Sequence, residues 1–116
     1  EVLTWAPTHS RAGTAYTNLP TVNEAKYQLV GSNLVWNESH TQNGTPGGTS
    51  FQKFTLPFTN PSSYHQGGFC TNTGSALMFG WYYQPTDNNV TLIRYDGAAE
   101  ATASAIYISS GICRIR

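Results

Sequence analysis

A chain of 116 residues with 39% hydrophobic and 13% aromatic residues has the size of one domain and enough apolar mass to bury its own core, so neither a disordered chain nor a second domain is expected. Charged residues make up only 10% of the chain and the formal net charge is zero, which argues against nucleic acid or an acidic membrane as a partner held by charge. No apolar run is long enough to insert across a bilayer as a helix.

The chain opens directly on a strand-like run, Glu1-Val2-Leu3-Thr4-Trp5, with no basic-then-apolar leader, and reads as the C-terminal piece of a longer protein. Runs of β-branched and aromatic residues then recur at short intervals between Gly, Asn, Pro and Ser clusters, and nothing keeps a helical period. Strands are predicted at Val2 to Trp5, Thr14 to Tyr16, Ala25 to Val30, Asn33 to Thr41 and Ser50 to Leu56. They continue at Gly68 to Cys70, Ala76 to Tyr83, Asn89 to Tyr95, Ser104 to Ser109 and Gly111 to Arg116. Gly31-Ser32 signals a tight hairpin, and Asp96-Gly97 ends another strand with a residue that accepts positive φ. Thr41 to Thr49, with Asn43-Gly44 and Pro46-Gly47-Gly48, reads as a long exposed hairpin tip. Pro57 closes the strand before it, because it lacks the N–H that a central ladder needs.

Alternation along the strand from Asn33 puts Leu34, Trp36, Glu38 and His40 on one face, so its far end is polar on both faces. Around Trp81-Tyr82-Tyr83 the same rule sends aromatic rings to both sides of one strand. Many short strands of this kind predict an all-β fold, an antiparallel β-sandwich or jelly roll, as a single domain over residues 1–116. Two cysteines, Cys70 and Cys113, are too few for a disulfide framework and read as buried thiols, the alternative being a single bond between them that closes a long loop.

Catalytic chemistry finds little support. His9, His40 and His65 occupy no nucleophile motif, and the acids Glu1, Glu24, Glu38, Asp87, Asp96 and Glu100 read as turn or solvent residues rather than a glycosidase pair. The scattered histidines and distant cysteines show no zinc spacing, and Asp87-Asn88-Asn89 is too short for a calcium loop, so no metal, cofactor or enzymatic activity is expected. Sugar recognition combines an aromatic face for the pyranose with side-chain amides and carboxylates for its hydroxyls. Trp81 and Tyr83 beside Asp87, Asn88 and Asn89 offer that combination, as does the loop Tyr64, His65 and Gln66. The competing reading makes the aromatics core residues and the Asp87 run an ordinary turn.

The chain carries, in order, Trp5-Ala6-Pro7, a Tyr16 strand leading to Ala25-Lys26-Tyr27-Gln28-Leu29-Val30-Gly31-Ser32-Asn33-Leu34-Val35, Leu56-Pro57-Phe58-Thr59, Arg94-Tyr95-Asp96-Gly97 and the run Ile106 to Ile115. In this order and spacing it resembles the C-terminal receptor-binding domains of bacteriophage tail fibres and tailspikes. It implies a homotrimer on the virion tail, assembled in the host bacterial cytoplasm, that binds bacterial surface polysaccharide or lipopolysaccharide without catalysis. The family carries no fixed binding residue onto these positions, and Cys113 stands where the pattern has an aromatic or aliphatic residue. A structural trimerisation or capping domain of the fibre, and a carbohydrate-binding module of a secreted enzyme, are the alternatives.

Overall fold

The structure, a computed structural model, describes residues 1–11, 16–44, 51–73, 79–94 and 105–116. Regular structure among the described residues is entirely strand: β1 (Leu3–Thr4), β2 (His9–Arg11), β3 (Thr21–Val30), β4 (Asn33–Thr41), β5 (Gln52–Thr55), β6 (Gln66–Asn72), β7 (Phe79–Tyr83), β8 (Asn89–Arg94) and β9 (Ile106–Arg114). They form one antiparallel sheet in the order β1-β3-β4-β9-β6-β7-β8-β5-β2. Within it β6, β7 and β8 meander and β9 returns beside β6, which is a Greek key.

The N-terminal segment joins the two edges of this sheet. Its first part, β1, pairs with β3, and its second part, β2, pairs with β5 at the opposite edge. Between them the Trp5 indole donates to Thr55 O at 2.7 Å and the Thr55 amide donates to Thr8 O at 3.2 Å. The sheet therefore curls into two facing layers, with the N-terminal segment running from one edge to the other. The all-β sandwich expected from the alternating pattern is what the chain forms.

Alternation decides what lies between the layers. Leu34 and Trp36 of β4, Phe54 of β5, Trp81 and Tyr83 of β7, Val90 and Leu92 of β8, and Tyr107 and Cys113 of β9 are all buried. Trp36 packs edge-on against Trp81 at 4.9 Å and Phe54 at 5.9 Å between ring centroids, so one side chain of β4 bridges to the opposite layer. The Trp81 indole also keeps β6 and β9 apart. Their pairing covers Cys70↔Ser109 to Asn72↔Tyr107, and beyond it the indole lies against Gly68 and Gly111 and donates to Ser110 O at 3.2 Å. A Cβ on Gly111 would sit 2.3 Å from the ring, so this close approach requires glycine. Past the indole the Gln66 amide replaces the ladder, accepting from the Arg114 N–H at 2.6 Å and donating to Arg114 O at 2.8 Å.

The observed elements correct several expectations. β2 was not foreseen, Tyr16 is outside any strand, β3 begins at Thr21, and the two strands expected after Ser104 are one strand, β9. Thr41 to Thr49 is not a hairpin tip, because β4 and β5 are not neighbours: β4 lies between β3 and β9, and β5 between β8 and β2. Residues 45–50 of that connection lie outside the described residues. The Gly31-Ser32 hairpin does form, with Val30 opposite Asn33 and Gly31 at φ +61°, and β5 ends before Pro57. Asp96-Gly97 and Ala76 to Met78 lie outside the described residues.

Candidate functional site

At the end of the sandwich that carries the β3–β4, β5–β6 and β7–β8 connections, an open cleft of about 540 Å³ lies between the Pro61–Tyr64 turn, Gln66, Arg114 and Arg116. Tyr64 stands on its rim with 75% of its surface exposed. Arg114, the last residue of β9, and Arg116 beyond it both line the cleft, and the Arg114 Nε donates to Arg116 O at 2.8 Å. The cleft thus joins an exposed aromatic ring and two exposed arginines with the Ser62 and Gln66 side chains.

Asn60 holds this wall in place. Its side chain is fully buried; Nδ2 donates to Tyr64 O and Tyr83 O, while Oδ1 accepts from the Ser62 N–H, the Ser62 hydroxyl and Gln66 Nε2. Its backbone N–H reaches Asp87 O, and its carbonyl accepts from the Thr86 N–H, each at 2.9 Å or less. One residue, through its side chain and its backbone, therefore ties together the two loops that the sequence singled out, Tyr64 to Gln66 and Asp87 to Asn89. The Tyr83 hydroxyl adds a bond to Phe58 O that fixes the Leu56–Phe58 approach.

The expected binding residues divide sharply by position. Tyr64 and Gln66 line the cleft. His65 is exposed beside them, its ring edge-on to Tyr82 at 4.9 Å. Asp87, Asn88 and Asn89 form a self-satisfied turn in which Asp87 Oδ1 accepts from the Asn88 N–H at 2.6 Å and from Asn89 Nδ2 at 2.9 Å. Those bonds, the Asn89 amide first, hold the Asp87 carboxyl below its ordinary pKa. Trp81 and Tyr83 are core residues, 3% and 0% exposed, with no ring face open to a sugar. The arginines were missed, although the alternation Arg114-Ile115-Arg116 signals two cations on one face.

No protein-family model, curated protein or solved structure matches the chain.

The interior holds a second constellation, at the end of β4 that alternation marks as polar on both faces. Glu38 and His40 continue the inward face of Leu34 and Trp36, and both are fully buried; the polar end of β4 faces the core rather than water. Glu38 Oε1 and Oε2 lie 2.9 and 2.8 Å from His40 Nδ1, and Oε1 lies 3.3 Å from His9 Nε2 on β2. His40 Nε2 is 3.3 Å from Gln52 Oε1, and its ring stacks on Tyr107 at 5.2 Å. Burial raises the Glu38 pKa, but the imidazoles of His40 and His9 more than offset this, so the carboxyl stays below its usual range. Burial also lowers the His9 pKa and favours its neutral form.

Proposed function

We propose that this domain is a non-enzymatic recognition module that grips an acidic bacterial surface polysaccharide or lipopolysaccharide at the Tyr64–Arg116 cleft, as the host-binding tip of a phage tail fibre or tailspike. The observation that carries this reading is the cleft's composition. An exposed phenol ring can cover the apolar face of a pyranose, while Arg114 and Arg116 suit carboxylate or phosphate substituents, which arginine binds with a rigid fork of donors. Asn60 supports the same reading, because a wall fixed before binding has less ordering entropy to lose.

A single shallow cleft of this kind binds weakly, so the module acts as a homotrimer whose three sites gain from effective concentration. The outward face of β6 and β9 supports self-association: Phe69 is 75% exposed, and Ile108 and Ile112 are exposed on the neighbouring strand. Light scattering on the wild type and Ile112→Lys tests this: a trimer reduced to monomers is expected, and a monomeric wild type removes the oligomer.

Binding is tested with arrays of acidic and neutral bacterial glycans. Acidic glycans are expected to bind, with affinity falling as salt rises and lost about ten-fold or more in Tyr64→Ala and in Arg116→Ala. A folded protein that binds no bacterial glycan, or that binds equally well after both substitutions, overturns the assignment. Deleting the domain from a full fibre separates a receptor binder, whose particles assemble but fail to adsorb, from a cap, whose loss prevents assembly.

A further inference from the structure

We propose that His9, Glu38 and His40 form a binding site for one divalent transition-metal ion, with zinc the best fit, clamping the N-terminal strand β2 to the facing strand β4. The three residues each offer one ligand atom, and these atoms all lie within 4.8 Å of one another in the interior. Two zinc bonds of roughly 2.0–2.1 Å at a tetrahedral angle hold their donor atoms about 3.3 Å apart. The His9 Nε2 to Glu38 Oε1 separation is 3.3 Å, and that from His40 Nδ1 to Glu38 Oε2 is 2.8 Å. A pair of imidazoles with one carboxylate is a donor set of intermediate softness, suited to zinc and its neighbours rather than to calcium or magnesium.

The side chain beyond His40 points the same way. His40 Nε2 lies 3.3 Å from Gln52 Oε1, while Nδ1 of the same ring faces Glu38. The same Gln52 contact is the outer-shell hydrogen bond that metal-bound histidines make through their second nitrogen. His9 Nε2 lies near Glu38 but is not aligned to donate to it, and has no hydrogen-bond partner among the described residues. Gln42, just past the end of β4, is fully buried with both amide atoms unpartnered among the described residues.

The ligands come from the two layers of the sandwich, β2 from one and β4 from the other, so an ion among them ties the N-terminal segment across the interior. The closed surroundings suit a structural ion. The whole chain is stripped with chelator and then titrated with Zn²⁺ or Co²⁺. One equivalent per chain is expected, with Tm rising by about 5–10 °C at saturating Zn²⁺. The Co²⁺ spectrum should lack a thiolate charge-transfer band, since Cys70 and Cys113 are not ligands.

Glu38→Gln keeps the shape of the side chain, and His9→Gln changes only the edge strand, so one of the two serves if the other fails to fold. Each should weaken Zn²⁺ affinity at least ten-fold, whereas His65→Gln, at the cleft end, should not. No uptake by the wild type, binding unchanged in the folded variants, or a thiolate band each overturns the site. Glycan binding at the cleft is unaffected by any of these outcomes.

Discussion

Replacing Gly111 with alanine tests the packing around Trp81. A Cβ there would lie 2.3 Å from Trp81 Cζ2, 2.7 Å from Cη2 and 3.0 Å from Trp36 Cε2, whereas carbon atoms settle at about 3.5–4.0 Å. The indole must move by about 1 Å, yet it is held by its bond to Ser110 O, by the backbone at Gly68 and by Trp36. Overpacking of this kind costs about 1–3 kcal/mol, and a lost indole hydrogen bond adds roughly 1 kcal/mol. Gly111→Ala should therefore lose about 2–4 kcal/mol in urea unfolding followed by tryptophan fluorescence, and about 10 °C or more in Tm. Gly31→Ala is the control: nothing lies within 4 Å of its Cβ, and only its φ of +61° opposes it, at about 1 kcal/mol. In a Trp81→Phe background the smaller ring leaves room, so Gly111→Ala should cost markedly less there. A Gly111→Ala protein within about 0.5 kcal/mol of wild type would refute the packing of the indole between β6 and β9.

Asn60→Ala strands the Tyr64 and Tyr83 carbonyls and frees the cleft wall, so stability should fall by about 2–4 kcal/mol and glycan affinity should fall with it, measured by denaturation and glycan titration. Cys113→Val removes the acceptor of the Trp36 indole N–H, which donates to Sγ at 3.3 Å; leaving that donor buried and unpaired should cost about 1–3 kcal/mol despite the better apolar match. The Cys70 thiol is pushed up to about 11 by burial, so it should resist iodoacetamide in the native protein at pH 8 and react promptly after unfolding. Because that pKa is raised on folding, its stabilisation is complete below the thiol's ordinary pKa near 9 and is lost as pH rises through 11; Tm measured from pH 8 to 11 should decline, and less so in Cys70→Ala.

Period-two alternation was a sufficient guide to β4, whose bounds and inward face follow from Leu34 and Trp36, and to β7, where Phe79, Trp81 and Tyr83 point inward and Tyr82 outward. It could not reveal β2, since His9-Ser10-Arg11 has no strand composition and is held by its register against β5. The same tertiary pairing explains Glu38. Residue type argues for solvent, but the strand's pleat has only two faces, and the face that buries Trp36 must also bury residues 38 and 40. Tyr64 and Gln66 were legible as a loop of the right chemistry. Their partners Arg114 and Arg116 were not, because only the sheet order brings the end of β9 beside the start of β6.

Along β4 the inward residues change from Leu34 and Trp36 to Glu38 and His40, and along β5 from Phe54 back to Gln52, so the core is apolar at one end and polar at the other. The apolar end carries the cleft. Trp36, Trp81 and Tyr83 belong to the core cluster, and Asn60 fastens the rim to Tyr83, so the candidate binding surface is tied to packed rings. At the other end, buried ionisable groups stabilise only when each has a partner, and removing one from such a cluster leaves an uncompensated charge. Stability of the polar half thus depends on what accompanies Glu38, whereas the apolar half depends on ring packing. The two halves should respond independently: substitutions around Trp81 should change unfolding without altering the His9–Glu38–His40 cluster, and changes at His9 should leave the cleft's geometry intact.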